Sequence, residues 1–220
     1  RSQSTPAGQT GASPAGVTVV RVGDTRAALL DWAAFVLDAL RPYSIAITGA
    51  VGKSTARAAL LHALEAPGGS AAVFANGNRN DELGLPLALG GLEQGQSTAV
   101  LEVAGGSAAE LERLGALIRP HAVVLTAAAP PAARDAPSVA LRSGLHGFLA
   151  SLRPGGWVAL NGDDTDLRDL MATWPERYRY RLVRYGLGVD VDVRGAVLHR
   201  SPSGTLLEVL SLIHISEPTR

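Results

Sequence analysis

A glycine-rich segment that contains a lysine and two hydroxyl side chains runs from residue 44 to residue 57. It begins with a short apolar run and passes into a pattern typical of a helix, with the sequence Ser-Ile-Ala-Ile-Thr-Gly-Ala-Val-Gly-Lys-Ser-Thr-Ala-Arg. Gly49 and Gly52 allow a tight turn in which backbone N–H groups and the N-terminus of that helix point at an anion. Lys53 supplies a positive point charge, and the hydroxyl group of Ser54 can bind Mg²⁺. The segment therefore predicts a site for the phosphate groups of a nucleotide.

The glycine spacing differs from that of the common Walker A loop. That loop has a glycine five residues before the glycine of its Gly-Lys pair, and the residue at this position is Ile47. The shorter pattern Gly-x-x-Gly-Lys-Ser-Thr remains. An ordinary glycine-rich turn with a surface lysine is the alternative interpretation. The strand-like run before the glycines and the alanine- and leucine-rich helical pattern up to Ala66 favour the phosphate loop.

The composition is that of a globular protein of one or two domains. Of the 220 residues, 46% are hydrophobic and 18% are charged, which is enough apolar sequence for a substantial core. Twenty basic residues balance twenty acidic ones, so the positive charge expected of a nucleic-acid-binding protein is missing. The absence of cysteine excludes disulfides and thiolate metal sites and fits a reducing compartment. The longest apolar stretch, 27–40, is too short to span a bilayer.

Both ends of the chain differ in character from its middle. Residues 1–16 are rich in Ser, Thr, Gly, Pro and Gln and lack the apolar region of a signal peptide, so we interpret them as a flexible tail or linker. Residues 210–220 resemble the translation of a sequencing adapter, and we expect the natural gene to continue differently after Val209. A short natural tail is the alternative.

Short apolar runs alternate with helical patterns along the rest of the chain. The runs are expected to be strands at 45–47, 71–75, 98–103, 122–126, 157–160 and 182–185. Helices are expected between most of them, at 25–40, 53–66, 107–118, 138–152 and 165–174. This alternation predicts an α/β fold with a mostly parallel sheet and helices on both faces. Residues 189–194, 196–199 and 205–209 predict a small antiparallel extension around a Gly/Pro turn.

Four segments, in this order, resemble motifs of the Mur ligase family. The most discriminating has the form Gly-Asn-x-Asn-(Asn/Asp)-x-x-Gly-x-Pro-Leu and is similar to the branch that adds D-alanyl-D-alanine. The four segments are 48–55, 77–87, 99–103 and 160–164. The resemblance covers residues 17–209. It implies that 17–41 are the end of a preceding region with a lead-in helix, and that 42–209 are an ATP-binding central domain, incomplete at its C-terminus.

The resemblance also implies a role for particular residues. Lys53 would contact the β- and γ-phosphates of ATP, Ser54 and Glu102 would bind Mg²⁺, and Asn161 would contact adenine. Lys53 and Glu102 are thereby the implied catalytic residues. The nucleotide-binding set implied by the loop comprises Gly49, Ala50, Val51, Gly52, Lys53, Ser54 and Thr55.

Simpler interpretations of these residues remain open. Glu102 could be a solvated strand end, although the small residues after it, at a sheet edge where ligands bind, favour a metal ligand. Asn161 precedes Gly-Asp-Asp and could be a turn residue. The segment from Asn78 to Pro86 could be a rigid connection as well as a functional loop.

The sequence departs from the family pattern at two places. Ala132 stands where these ligases carry a histidine, and His146 stands where they carry a carbamylated lysine that helps to hold a second Mg²⁺. Alanine cannot bind a metal, and an imidazole lacks the charged hard oxygen that Mg²⁺ prefers. The family's second metal site is therefore altered in this sequence, and we interpret His146 as a helix-face or packing histidine rather than a substitute ligand.

The resemblance implies an ATP-dependent amide ligase of peptidoglycan precursor synthesis in the cytoplasm. Such a ligase works through an acyl phosphate on a UDP-muramoyl-peptide-type substrate. The substrate-binding domains of the family lie outside this chain, so the chain alone is not expected to ligate. A non-catalytic Mur-like nucleotide-binding module is the alternative, suggested by Ala132 and His146. A ligase for other carboxylates is a third possibility, which the motif at 77–87 disfavours.

Overall fold

The computed structural model describes residues 19–65, 72–128, 139–201 and 204–211. The helices in these ranges are α1 (Thr25–Leu40), α2 (Lys53–Leu64), α3 (Gly84–Leu89), α4 (Ala108–Ile118), α5 (Val139–Ala150) and α6 (Thr165–Thr173), with a 3₁₀ turn at Arg177–Arg179. The strands are β1 (Tyr43–Thr48), β2 (Val73–Ala75), β3 (Thr98–Glu102), β4 (Ala122–Leu125), β5 (Trp157–Asn161), β6 (Arg181–Gly186), β7 (Val193–Ser201) and β8 (Gly204–Ser211).

The strands form one eight-stranded sheet in the order β2-β3-β1-β4-β5-β6-β7-β8. All neighbours are parallel except β7 and β8, which form an antiparallel hairpin. Strand β3 is buried along its whole length, as expected of an apolar strand in the middle of a parallel sheet. Because β1 lies between β3 and β4, the segments that follow these three strands meet at one edge of the sheet.

Polar side chains fix where three of the helices begin. Asp24, Ser107 and Asp164 accept hydrogen bonds from backbone N–H groups in the first turns of α1, α4 and α6. These bonds satisfy donors that the first turn of a helix leaves free. Helix α2 differs, because Gly52 precedes it and no side chain caps it.

The helices α1, α3, α4, α5 and α6 contribute to one hydrophobic core with the strands. Helices α4 and α5 approach each other closely, since a Cβ atom at Gly115 would lie 3.1 Å from the Cα atom of Phe148. Phe148 is fully buried at this contact. The helices are therefore packed against the sheet whose edge carries the candidate site.

The predicted fold class, an α/β fold with a mostly parallel sheet and a small antiparallel extension, is confirmed. Two details of the prediction are wrong. Residues 189–192 are not part of a strand, because the Asp192 carboxylate binds the backbone N–H and the guanidinium of Arg184 and holds this segment as a loop. The second concerns the segment from Asn78 to Pro86, which was interpreted as a loop. Its last three residues form the first turn of α3, where proline is tolerated because no N–H group of that turn needs a partner within the helix.

The predicted terminal segments lie largely outside the described residues. Residues 1–16 are outside them, as are 212–220 of the segment that resembles an adapter. Leu210 and Ser211 are described and pair with Arg194 and Val193 at the end of β8. In the part of the chain that the structure describes, no helix is long and apolar enough to cross a membrane.

Candidate phosphate-binding site

The glycine-rich loop lies between the end of β1 at Thr48 and the start of α2 at Lys53. Gly49 has a φ of 137° and Gly52 a φ of 86°, a region that glycine adopts far more readily than other residues. Gly49 also lies so close to the segment after β4 that a Cβ atom there would be 2.8 Å from the carbonyl oxygen of Ala127. Both glycines are therefore required by the conformation of the loop.

Two hydrogen bonds connect this loop to the segment that follows β4. The Ala50 N–H donates to the carbonyl oxygen of Ala127 at 2.8 Å. The Thr126 hydroxyl donates to the carbonyl oxygen of Val51 at 2.6 Å and also lies 3.2 Å from that of Thr48. One side of the loop is thus hydrogen-bonded to the segment after β4, and its other side is exposed to solvent at Val51 and Gly52.

The N-terminus of α2 is open to an anion. No side chain caps Gly52, and the N–H groups of the first turn, which include those of Ser54 and Thr55, have no partner within the helix. The positive end of the helix dipole adds to their attraction for negative charge. Ser54 and Thr55 are both exposed, so this helix end is accessible.

Lys53 folds back over the loop. Its Nζ atom donates to the carbonyl oxygen of Gly49 at 2.8 Å and lies 3.4 Å from that of Ala50. Lys53 is also the single lysine among the 220 residues, in which nineteen arginines supply the other basic side chains. The single lysine ammonium group of this sequence therefore lies at the position where a phosphate loop binds phosphate through a compact positive charge.

Glu102 lies at the end of β3, where strand pairing brings it beside the loop. Its register partner on β1 is Ile47, two residues before Gly49. The Ser54 hydroxyl donates to Glu102 Oε1 at 3.2 Å, and the side-chain amide of Asn80 donates to the same oxygen at 2.8 Å. The Glu102 side chain is only 4% exposed. It is therefore a buried carboxylate facing the loop rather than a solvated strand end.

Asn76 and Asn80 are functional candidates that the sequence analysis did not single out. The side chain of Asn76 accepts a hydrogen bond from the Glu102 N–H at 2.9 Å and donates to the Glu102 carbonyl oxygen at 2.7 Å. Asn80 binds the carboxylate itself, and its own carbonyl oxygen accepts from the Ala104 N–H at 2.8 Å. The motif at 77–87 was the available signal for Asn80, whereas Asn76 precedes that motif and had none. The contacts with β3 are what give them a role.

The far end of the same segment is fixed by an ion-pair cluster. Glu82 is buried and pairs with Arg113 on α4 and, at 3.4 Å, with Arg26 on α1. The hydrogen bond from the Arg113 guanidinium lowers the pKa of the Glu82 carboxyl below its usual value of 4.5, against the opposing effect of burial. Asn80 and Glu82 thus attach one short segment to both β3 and α4.

The residues present fit a Mg²⁺ ion at Glu102. Glu102 Oε2 is buried, lies 3.5 Å from Arg57 Nη1 and accepts no hydrogen bond, so a metal ion that binds it would replace no hydrogen bond. The Ser54 hydroxyl and the Glu102 carboxylate are hard oxygen donors of the kind that Mg²⁺ prefers. The described residues contain no group of three or more acidic, histidine or cysteine side chains that could hold a metal. Mg²⁺ suits such a sparse site, because it commonly binds through one or two protein ligands together with water and phosphate.

A cleft of about 270 Å³ lies next to the loop. Its other wall is formed by the small residues 104–108 after β3, together with Leu111. Lys53 lines the cleft and Glu102 ends the strand that leads into it. The arrangement provides space beside the phosphate loop for a second molecule.

Asn161 is joined to this site only indirectly. Its side-chain amide donates to the carbonyl oxygen of Thr126 at 3.2 Å, and its Oδ1 accepts from the Asp163 N–H at 3.0 Å. The Tyr185 hydroxyl donates to the neighbouring Leu125 carbonyl oxygen, and burial raises the pKa of this phenol to about 12. Asn161 therefore acts as a turn residue in this structure, and its contact with adenine stays a prediction.

One of the two departures from the family pattern, His146, lies among the described residues. Nε2 of His146 is 3.4 Å from the carbonyl oxygen of Leu170, which places the imidazole between α5 and α6. This position agrees with a packing histidine. Ala132 lies outside the described residues.

Comparisons with known proteins find a family model and relatives that this chain resembles. Residues 47–131 match the Mur ligase middle domain. The UDP-N-acetylmuramoyl-tripeptide--D-alanyl-D-alanine ligase of Haemophilus influenzae is 26% identical over 193 residues, which are 86% of this chain and 41% of that protein. The ligase of the same name from Bacillus subtilis is 28% identical over 197 residues, covering 87% of this chain and 40% of that protein. The predicted resemblance to the Mur ligases is therefore confirmed.

A solved structure shares the fold. MurF ligase from Thermotoga maritima in complex with ADP has a TM-score of 0.69 and 19% identity, over 86% of this chain and 42% of that one. The chain spans about two fifths of the length of these relatives.

We predict that Glu82→Gln lowers stability in a pH-dependent way. The folded pKa of Glu82 lies below its ordinary 4.5, so the carboxylate contributes stability above that pH and loses the contribution as the pH falls through the folded pKa. The difference in unfolding free energy between the parent and the variant should be constant from about pH 7 to pH 5 and shrink below about pH 4.5. Urea denaturation at several pH values measures it.

Glu65→Gln is the matched control, because Glu65 is exposed and has no described ion pair. It should change stability little at any pH. A Glu82→Gln effect that is the same at pH 7 and at pH 3 would contradict the role of the carboxylate charge.

Proposed function

We propose that this chain is the nucleotide-binding central domain of an ATP-dependent amide ligase of peptidoglycan precursor synthesis. ATP would phosphorylate a carboxylate of a UDP-muramoyl peptide, and the amine of D-alanyl-D-alanine would attack the acyl phosphate. The observation that carries the proposal is the hydrogen bond from Ser54 to Glu102, which joins a phosphate loop to a buried carboxylate. The names of the two relatives supply the substrate class.

The loop would bind the phosphates through its backbone and Lys53. The uncapped N–H groups at the start of α2 are donors for phosphate oxygens. Lys53 Nζ now donates to two carbonyl oxygens, which are weaker acceptors than a charged phosphate. We therefore expect Nζ to exchange these carbonyls for phosphate oxygens when a nucleotide binds, with little change in the loop itself.

Ser54 and Glu102 would hold Mg²⁺ next to the phosphates. When bound there, Mg²⁺ neutralises charge on the transferred phosphoryl group. Asn80 keeps Glu102 Oε1 in place, so Oε2 can face the ion. Because the carboxylate and the loop lie on adjacent strands, the chain fixes their separation before the nucleotide arrives.

The cleft beside Lys53 is where we expect the acceptor carboxylate to approach. Small residues at 104–106 leave room there, and the ammonium group attracts a carboxylate as well as a phosphate. An anionic acceptor and the terminal phosphate would then share one positive charge. Residues 42–209 form the proposed central domain. A cytoplasmic location follows from the proposed reaction, since its substrates are ATP and a nucleotide-linked precursor.

We predict that Lys53→Ala weakens the binding of Mg·ADP to the 220-residue chain by about 10- to 100-fold, the effect of losing a charged hydrogen bond of about 1.5–3 kcal/mol. Lys53→Arg should lose less, because it keeps the charge but not the compact shape of the ammonium group. Isothermal titration calorimetry measures both. Arg200→Ala, which removes an exposed cation from β7, is the control and should bind like the parent. Unchanged affinity in Lys53→Ala would exclude the loop as the nucleotide site.

We predict that a complete protein carrying this domain releases phosphate from ATP only when UDP-muramoyl-tripeptide and D-alanyl-D-alanine are both supplied. The acyl phosphate forms on the first substrate and is consumed by the second. A coupled phosphate assay, with Glu102→Gln as the inactive reference, measures the release. ATP binding without any substrate-dependent release would instead favour the non-catalytic module.

A further inference from the structure

Arg57 is a partly buried arginine on α2 that the functions above do not use. It lies about one helical turn after Lys53, and its side chain is 16% exposed. One terminal guanidinium nitrogen, Nη1, is 3.5 Å from Glu102 Oε2. Neither atom is accessible to solvent and neither makes a hydrogen bond. The contact is thus a charge pair without the short hydrogen bonds of a fully formed arginine–carboxylate pair.

Glu102 needs a counter-charge in the absence of a nucleotide. A carboxylate that is 4% exposed is costly unless it is paired. Ser54 and Asn80 both donate to Oε1, but neither carries a charge. Lys53 is directed at the loop carbonyls instead. Among the described ion pairs, the one that neutralises Glu102 is the pair with Arg57.

The carboxylate oxygen that faces Arg57 is also the one at which a metal ion would replace no hydrogen bond. Oε1 already accepts two hydrogen bonds, whereas Oε2 accepts none. Mg²⁺ binds carboxylate oxygens at about 2.0–2.1 Å. A guanidinium nitrogen 3.5 Å from the same oxygen would then lie beside an ion of the same sign, and the two would repel each other. Arg57 and Mg²⁺ therefore compete for Oε2.

We propose that Arg57 is a positioning residue that neutralises and orients Glu102 while no nucleotide is bound, and that it leaves Oε2 when Mg²⁺ arrives with the nucleotide. The inference rests on the proposed function, because it requires Mg·nucleotide at this site. Because Arg57 competes with Mg²⁺ for Oε2, it raises the Mg²⁺ concentration that is needed for tight binding of the nucleotide.

The test is the Mg²⁺ dependence of ADP binding in Arg57→Gln, made in the whole 220-residue chain. Glutamine keeps a polar side chain but removes the charge. The Mg²⁺ concentration for half-maximal ADP binding should fall about fivefold, the effect of a competing ion pair of about 1 kcal/mol. Arg26→Gln is the matched control, because Arg26 also pairs with a buried glutamate, Glu82, and should leave the Mg²⁺ dependence unchanged.

Thermal denaturation provides a second measurement that separates this role from a structural one. Arg57→Gln should lower the midpoint without ligand, because Glu102 loses its counter-charge, and should lower it less at saturating Mg·ADP. An equal loss in both states, or an unchanged Mg²⁺ dependence while ADP still binds, would overturn the proposal. If the parent chain binds no ADP at all, the proposed function fails instead.

A structure of the parent chain with Mg·ADP tests the same inference even if Arg57→Gln does not fold. The distance from Arg57 Nη1 to Glu102 Oε2 should then exceed the limit of about 4 Å for an ion pair. Retention of the present 3.5 Å contact beside the bound ion would overturn the proposal.

Discussion

The burial of the Glu102 carboxylate is the constraint around which this part of the molecule is built. A charge with 4% exposure persists only where its surroundings compensate it, and two separate segments do so here. Helix α2 contributes Ser54 in its first turn and Arg57 about one turn later, and the segment after β2 contributes Asn80. Because each contact crosses from one element to another, the carboxylate also fixes how these elements lie relative to each other.

Parallel strand pairing makes this concentration of polar groups possible. Strands β3, β1 and β4 all end at the same edge of the sheet, so Glu102, Gly49 and Thr126 lie at the ends of neighbouring strands. Gly49 has no side chain to separate the loop from Thr126 and Ala127, which lets β4 support it. The backbone of β3 is in turn held by both ends of the Asn76 amide. The loop is therefore hydrogen-bonded on the side that faces β4 and exposed to solvent at Val51 and Gly52.

The parts of this arrangement that could be predicted from the sequence are those with local signals. The phosphate loop could be predicted because its glycines, lysine and hydroxyl side chains are contiguous in the sequence. The sheet could be predicted because its apolar strands alternate with helical patterns. Glu102 could be predicted because the polar residue ends an otherwise apolar strand. Arg57 and Asn76 could not, because their roles depend on side-chain contacts with Glu102 across 45 and 26 residues of sequence. The short helix α3 could not be predicted for a different reason, because its glycine and proline are residues typical of a turn.

The most direct measurement of the central claim, that Gly49–Thr55 with Glu102 forms one Mg·nucleotide site, uses the single lysine of the chain. An ATP derivative with an acylating group on its terminal phosphate transfers that group to an amine close to the bound phosphates. Mass spectrometry of the digested protein then compares Lys53 with the N-terminal amine of the polypeptide used in the experiment. We predict that Lys53 is acylated preferentially and that excess Mg·ADP suppresses this. Equal acylation of both amines, unaffected by Mg·ADP, would contradict the assignment of the site.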